Sequence, residues 1–401
     1  MLLSLCMIVK DEEESLARCL QSVTDIVDEM VVVDTGSRDR TIAIARDHGA
    51  TVHERPWPHD FALARNDALQ FVQGDWVLVL DADEVLLSDC IPQMQKLIQA
   101  PELIAITLLR QEVGAQQTPY SLVSRLFRRH PQLHFERPYH ESIDDSAIAL
   151  IAQDPRWKIG SLPIPAIAHE GYRPEAIAAR QKTQRATQIM GQYLATHPTD
   201  AYICSKLGAL YVSEGRSTEG IALLEQGLQQ AQDPATRYEL QFHLGLAYAQ
   251  IGQTSLARQR YEAALKTDLP DLLKLATFVN LAALYIDQGA IDQDAIDLAE
   301  PLLKKALQLQ PDWAIAYYNL GLLHKALGRL PEAIAAYQKA IQLQPHSPAA
   351  YQNLGVVYLK LGQIPAALTS FSKAIALYQE SSPAEAAQLQ HKLQELGWIT
   401  Q

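Results

Sequence analysis

Trp76-Val77-Leu78-Val79-Leu80-Asp81-Ala82-Asp83-Glu84 runs five apolar residues straight into three carboxylates interrupted by one alanine. A short continuous apolar run of this kind reads as a strand buried on both faces, as in a parallel sheet. The acids then fall at its carboxyl end, where open α/β sheets hold their ligands. Two carboxylates one residue apart can be turned toward one ligand by the bend of the chain, and such oxygen donors suit Mg²⁺ or Mn²⁺. A bare Asp-x-Asp triplet is common and mostly structural, so its weight comes from its setting.

That setting is an alternating pattern over the first 170 or so residues. Leu3 to Val9 and Glu29 to Val33 are further apolar runs, while Glu13 to Val23, Thr41 to His48 and Ala62 to Val72 have helical spacing. The alternation predicts right-handed βαβ units and a largely parallel sheet. Ile104 to Arg110 and Ser121 to Arg128 read as further strands, with an antiparallel arrangement open. Acids gather after three strand ends, at Asp11 to Glu14, Asp34 and Asp81 to Glu84, which points to one site.

Beyond residue 200 the strand signal stops and a repeat takes over. Tyr317, Leu320, Gly321, Ala333, Tyr337 and Ala340 recur 34 positions later as Tyr351, Leu354, Gly355, Ala367, Phe371 and Ala374. The pattern resembles the tetratricopeptide repeat (TPR), in which small residues let two antiparallel helices pack closely. Leu244, Gly245, Tyr248, Ala257, Tyr261 and Ala264 fit it, as do Phe278, Leu281, Tyr285, Ala299 and Ala306 with about five extra residues between the helices. A degenerate copy holds Leu207, Gly208 and Tyr211, with Gly220 and Gly227 in place of alanines. The expected layout is a first domain over residues 1–173, a connecting helix over 174–198, about five repeats over 199–382 and a capping helix over 383–401. Tyr238, Tyr248, Tyr285, Tyr317 and Tyr318 read as core, with a place in the groove of the repeats as the alternative.

A net charge of −12 weighs against a nucleic-acid partner. The one basic run, Arg125 to His130, either lines a pocket for phosphates or forms a solvated strand edge. Cys6, Cys19, Cys90 and Cys204 have no metal-ligand spacing and read as small apolar residues of a reducing compartment. No segment has the ~20 apolar residues of a membrane span, and Leu2 to Val9 is too short for a signal peptide, so the expected location is the cytoplasm.

Read together, four ordered segments are more specific than any one of them. Ser4-Leu5-Cys6-Met7-Ile8-Val9-Lys10-Asp11-Glu12-Glu13, Val32-Val33-Asp34-Thr35-Gly36-Ser37-Arg38-Asp39-Arg40-Thr41, Phe61-Ala62-Leu63-Ala64-Arg65-Asn66 and Gly74 to Asp83 resemble, in order, the motifs of family 2 glycosyltransferases. The resemblance covers roughly residues 1–170. It implies a GT-A fold, α/β and Rossmann-like with a mostly parallel sheet, followed here by an all-α TPR solenoid. It also implies an inverting transfer from a nucleotide-diphospho-sugar, typically a UDP-sugar, with Mn²⁺ or Mg²⁺ as the cofactor.

Carried over by position, Asp34 would accept a hydrogen bond from the donor's base, its alternative being a turn or N-cap residue. Asp81 would hold the ribose or a metal-bound water, with Ala82 beside it, and Asp83 would coordinate the metal. Arg65 would lie near the base or diphosphate, the alternative being a surface ion pair. Val9, Asp11, Glu12 and Glu13 are donor-pocket candidates because the family places its first loop there. The two glutamates also suit the N-terminus of the next helix. Two His-Glu pairs follow the acidic cluster. Glu141 is the leading catalytic base, with His140 as substrate ligand or orienter, and His169 is a candidate metal ligand. For each histidine a satisfied core position is the alternative.

A TPR groove commonly binds peptides or protein segments, so the implied partners are the nucleotide-sugar and a protein or peptide acceptor. The competing reading is a TPR interaction scaffold whose transferase domain binds a nucleotide without turnover. A nucleotidyltransferase would need a Gly-rich phosphate loop near the N-terminus, and Leu3 to Asp11 contains no glycine.

Overall fold

The structure, a computed structural model, describes residues 2–115, 119–170, 176–289 and 293–398, without the side chains of 176–182 and 293–294. It divides into two compact units. One comprises residues 1–252 with 267–273, and the other comprises 253–266 with 274–401.

The first unit is built on strands β1 (Leu3–Val9), β2 (Glu29–Asp34), β3 (Thr51–Glu54), β4 (Trp76–Val79), β5 (Glu84–Leu86), β6 (Leu103–Glu112), β7 (Tyr120–Arg128) and β8 (Lys158–His169). They form one sheet in the order β3-β2-β1-β4-β7-β6-β8-β5. The β1–β2, β2–β3, β1–β4 and β6–β8 pairings are parallel, and β4–β7, β6–β7 and β5–β8 are antiparallel. The sheet is therefore parallel through its first half and mixed through its second. Helices α1 (Leu16–Val23), α2 (Thr41–Asp47), α3 (Phe61–Leu69), α4 (Ile91–Leu97) and α5 (Asp144–Gln153) complete the α/β part.

The central strand shows why its sequence is apolar throughout. Leu3, Leu5, Met7 and Val9 pack with α1 and α4 on one face, while Cys6 packs with Val77, Phe127 and α5 on the other. A strand covered on both sides cannot alternate with polar residues. Gly74, ahead of β4, donates its N–H to Ser4 Oγ at 2.9 Å, and a Cβ there would meet that oxygen at 2.4 Å.

Four of the five expected strands and all three expected helices of this part differ from their expected bounds by one to three residues at an end, and β3, β5 and β8 were not expected. β8 contains Pro163 and Pro165, which argue against a strand when read locally. The structure accommodates them where the β6–β8 register shifts, between Leu108↔Leu162 and Leu109↔Pro165.

Still within the first unit, α6 (Ala176–Thr196) leads to α7 (Ala201–Ser213), α8 (Ser217–Gln230) and α9 (Pro234–Gln250). Gly208, which fits the repeat pattern, and Gly220 and Gly227, which depart from it, sit where α7 and α8 touch: a Cβ on each would lie under 2.8 Å from Leu224, Val212 and Cys204 respectively.

The second unit continues with α10 (Thr254–Leu265), α11 (Leu275–Gln288), α12 (Gln293–Asp297), α13 (Ala299–Leu309), α14 (Ala314–Ala326), α15 (Leu330–Leu343), α16 (Pro348–Lys360), α17 (Ile364–Ser381) and α18 (Pro383–Glu395). These are the paired helices that the repeat predicts, and α12 occupies the expected insertion. Tyr238, Tyr248 and Tyr285 are buried, whereas Tyr317 and Tyr318 are half-buried. Packing is tight at Gly321, where an added Cβ would stand 2.5 Å from the ring of Tyr337, itself fully buried. Gly321→Ala should therefore destabilise the repeats by about 1–3 kcal/mol through overpacking, despite the higher helix propensity of alanine. Differential scanning calorimetry checks this: an unchanged or raised transition would mean that α14 and α15 separate freely.

Among the described residues no helix is long and apolar enough to cross a membrane. The four cysteines are buried and free.

Candidate active site

Asp81 lies just past the end of β4 and carries two guanidinium groups. Its Oδ1 accepts from Arg65 Nη2 at 2.6 Å and its Oδ2 from Arg125 Nη2 at 3.0 Å. Its N–H donates to Glu84 Oε2 at 2.9 Å, which turns the chain back into β5. Burial alone would raise the Asp81 pKa, but the charges of Arg125 and Arg65 outweigh it and hold the carboxyl well below the usual range. Arg65 comes from α3 and is 4% exposed. Its Nε donates to Glu141 Oε1 at 2.6 Å, so a single guanidinium joins the acidic cluster to the predicted base.

Strand pairing builds the second half of the site. Glu84 on β5 is registered with His169 on β8, and His169 with Glu112 on β6. Cross-strand neighbours share a face, so three residues far apart in sequence become a row. His169 Nδ1 is 2.6 Å from Glu112 Oε2, and its Nε2 is 3.2 Å from Asp83 Oδ2. Arg110 spans the row beneath, donating from Nη1 to Glu84 Oε1 at 2.8 Å and from Nε to Glu112 Oε1 at 2.9 Å. Ser121 Oγ adds a bond to Glu112 Oε1 at 2.6 Å. The hydrogen bonds to Asp83 and Glu112 push the His169 pKa up to about 9, against the opposing effect of burial. Burial would raise Glu112, but the bond from His169 and the Arg110 charge push it down to about 2.

Apart from Glu84 and Glu112, which stand behind them, these side chains line one cavity of about 970 Å³ within the first unit. Val9, Glu12, Arg65, Asp81, Ala82, Asp83, His140, Glu141 and His169, all anticipated from the sequence, face it. The lining also includes Lys206 of α7 and Glu239 of α9.

Asp11, Glu13 and Asp34 are not among the residues lining the cavity. Asp11 Oδ1 accepts the N–H of Arg38 at 2.7 Å and Glu13 Oε2 that of Arg40 at 3.2 Å, so this first loop is fastened to the loop after β2. Asp34 Oδ1 accepts the N–H groups of Gly36 and Ser37, both at 2.9 Å, which is the turn role foreseen for it. Its Oδ2 is buried with no hydrogen-bond partner.

The three expected metal ligands are not gathered into one group. Among the described residues no three His, Cys, Asp or Glu side chains converge on a metal position. Asp83 and His169 do meet, whereas both oxygens of Asp81 accept hydrogen bonds from arginines. The basic run also resolves unevenly. Arg125 enters the cavity, but Arg128 bonds the carbonyls of Leu103 and Ala100, and Arg129 that of Gly74. The reading of Arg65 as a surface ion pair is overturned by its burial. In the second His-Glu segment, Gly171 and Tyr172 lie outside the described residues, and Glu170 pairs with Arg18 at 2.7 Å.

Sequence reasoning missed Arg110 and Glu112, and also an aromatic line beside Glu141. Trp57 meets Phe61 edge-on at 4.7 Å between centroids, Phe61 meets Tyr139 at 5.6 Å, and Tyr139 meets His140 at 5.0 Å. All four line the cavity. Their only local signal was aromatic residues near the Phe-Ala-Leu-Ala-Arg and His-Glu segments.

The sequence profile described as glycosyl transferase family 2 matches residues 4–160. Profiles described as TPR repeat and tetratricopeptide repeat match residues 324–362 and 348–381. The chain is 46% identical over 366 residues to a TPR repeat-containing protein of Synechococcus elongatus, covering 84% of this chain and 91% of that one. The SPbeta prophage-derived glycosyltransferase SunS of Bacillus subtilis is 26% identical over 200 residues, 48% of this chain and 44% of SunS. This chain therefore matches less than half of SunS. A solved structure of MamA (MSR-1) is 27% identical and covers 45% of this chain and 98% of its own, at a TM-score of 0.36 that adds nothing to the account of the fold.

Proposed function

We propose, from the premise that this chain belongs to the family 2 glycosyltransferases with C-terminal TPR repeats, that it transfers a sugar with inversion from a nucleotide-diphospho-sugar, a UDP-sugar by preference. The observation that carries the reading is one connected constellation in a single cavity: Asp81 joined through Arg65 to Glu141, with Asp83 beside His169.

Asp34, which lies behind the cavity residue Thr35 and outside the lining itself, keeps Oδ2 without a partner, and this acceptor is assigned to an N–H donor on the nucleotide base. Asp81, fixed as an anion by two arginines, is the acceptor for the donor's ribose hydroxyls. Asp83 and His169 would hold Mn²⁺ or Mg²⁺. Their chemistry fits, since His169 has its other nitrogen fixed by a carboxylate, as metal-binding histidines commonly do. Such an ion, when bound, offsets the charge gathering on the departing nucleoside diphosphate.

Glu141 takes the proton of the acceptor's nucleophilic group as that group bonds to the anomeric carbon. The bond from that carbon to the phosphate oxygen breaks in the same displacement, and its electron pair leaves on the diphosphate. Arg65 keeps Glu141 aimed into the cavity, and His140 orients the acceptor. The acceptor is a protein or peptide segment, a reading supported by the residues that α7 and α9, the start of the repeats, contribute to the lining of the cavity.

The test is thermal stabilisation by a panel of nucleotide-sugars with and without Mn²⁺. At about 100 times its Kd the right donor should add about 2.7 kcal/mol of apparent stability. Asp83→Ala should remove the Mn²⁺-dependent part and keep the rest. If no nucleotide-sugar stabilises the wild-type protein, the transferase reading fails. If Asp83→Ala leaves the Mn²⁺ response intact, the metal lies elsewhere.

A further inference from the structure

Glu141 sits in a loop whose backbone is costly to hold. Within residues 136–142, Arg137 has φ 76° and His140 has φ 56°, both left-handed without being glycine. Such conformations persist only where their surroundings over-determine them. Part of the hold is local: Glu136 and Ser142 exchange N–H···O bonds of 2.9 and 3.3 Å, and Phe61 N–H reaches Pro138 O at 3.1 Å.

The rest comes from the helices. Arg137 Nε donates to Asp200 Oδ2 at 2.8 Å and its Nη1 to Asp145 Oδ2 at 2.5 Å, while the guanidinium lies 5.0 Å from the ring centroid of Tyr202. The Arg137 and Asp200 side chains are only 9% and 10% exposed. Asp200 is itself pinned, because its Oδ1 caps α7 by accepting Ile203 N–H at 2.9 Å. Next along the loop, Tyr139 packs on an apolar cluster of Ala186 and Met190 from α6 with Ile203 and Leu207 from α7. Every one of these residues belongs to the first compact unit.

We propose that Arg137 is a positioning residue through which the first repeat helix, α7, holds the His140–Glu141 loop in its working shape, so that the active site is completed by the repeats rather than by the transferase domain alone. That this loop is catalytic rests on the function proposed above; that its shape depends on α7 does not. The same cap residue serves both sides, so the order of α7 is transmitted to Glu141 by one charged contact and one aromatic ring.

Asp200→Asn separates the two duties of that residue, since asparagine is an equally good N-cap but carries no charge. Hydrogen exchange on the full chain should then show the amides of Glu136, Ser142 and Phe61 opening at least about 10-fold faster, with α7 protected as in the wild type. Arg137→Met should do the same. Arg137→Lys should restore part of the protection, because an ammonium keeps the charge but loses the planar fork. Unchanged loop exchange in both Asp200→Asn and Arg137→Met overturns the proposal, and so does loosening of α7 to the same degree as the loop, which marks general destabilisation. With a donor that binds, Asp200→Asn should lower kcat at least about 10-fold and leave donor KM within about 2-fold, the mark of lost alignment rather than lost binding. If no nucleotide-sugar binds the wild-type protein, the functional reading fails while the exchange result still decides the role of Arg137.

Discussion

Glu141→Gln is expected to slow sugar transfer by about 10²- to 10⁴-fold in kcat while leaving the affinity for the donor close to that of the wild type. Glutamine has nearly the same volume, and its carbonyl oxygen can still accept the Arg65 Nε–H that Glu141 accepts at 2.6 Å. The loop and the guanidinium therefore stay in place, and what disappears is the lone pair basic enough to take a proton. Steady-state transfer together with calorimetric donor titration separates the two effects. A kcat within about 3-fold of wild type would reduce Glu141 to an anchor for Arg65 and send the search for a base elsewhere in the cavity.

Arg65→Met carries the largest expected cost in stability, about 3 kcal/mol. The side chain is 4% exposed and sits between Asp81 and Glu141, the latter with a side chain only 9% exposed. Methionine fills the volume and leaves Glu141 without its charge partner in a poorly solvated place. Asp81 suffers less, because it is about a third exposed and keeps Arg125. Relief of the repulsion between Arg65 and Arg125 recovers part of the loss. Urea unfolding measures the sum, and the double variant Arg65→Met, Glu141→Gln tests the cause. If the partnerless carboxylate is responsible, the second change should restore at least about 1 kcal/mol. Simple additivity would place the damage in packing, for instance against the Phe135 ring that lies 5.6 Å from the guanidinium.

The difference between what was readable and what was not follows one physical line. Asp81, Asp83 and Asp34 could be picked out because a buried strand announces its own end: the apolar run stops and the acid follows. The repeats could be picked out because small residues at a 34-residue interval are a packing demand that recurs along the chain. Arg110 and Glu112 fall at the end of β6 without forming a recognisable motif, and nothing local distinguishes a polar residue facing a site from one facing solvent. β8 was hidden for the opposite reason. Its two prolines signal a break, yet they fall where the pairing with β6 is already irregular, and its last residues are the ones that carry His169 to Glu84 and Glu112.

The sequence by itself determined the two kinds of architecture, the repeat of the second and the acids that end the parallel strands of the first, because each depends on a periodicity or a boundary contained within a few neighbouring residues. Only the tertiary structure decided how those acids are used. It turned Asp81 onto Arg65 and Arg125, set His169 between Asp83 and Glu112, and tied the loop of Glu141 to the cap of α7 through Arg137 and Asp200. Those contacts join residues 16 to 86 positions apart, brought together by strand register and helix packing, which no spacing along the chain records.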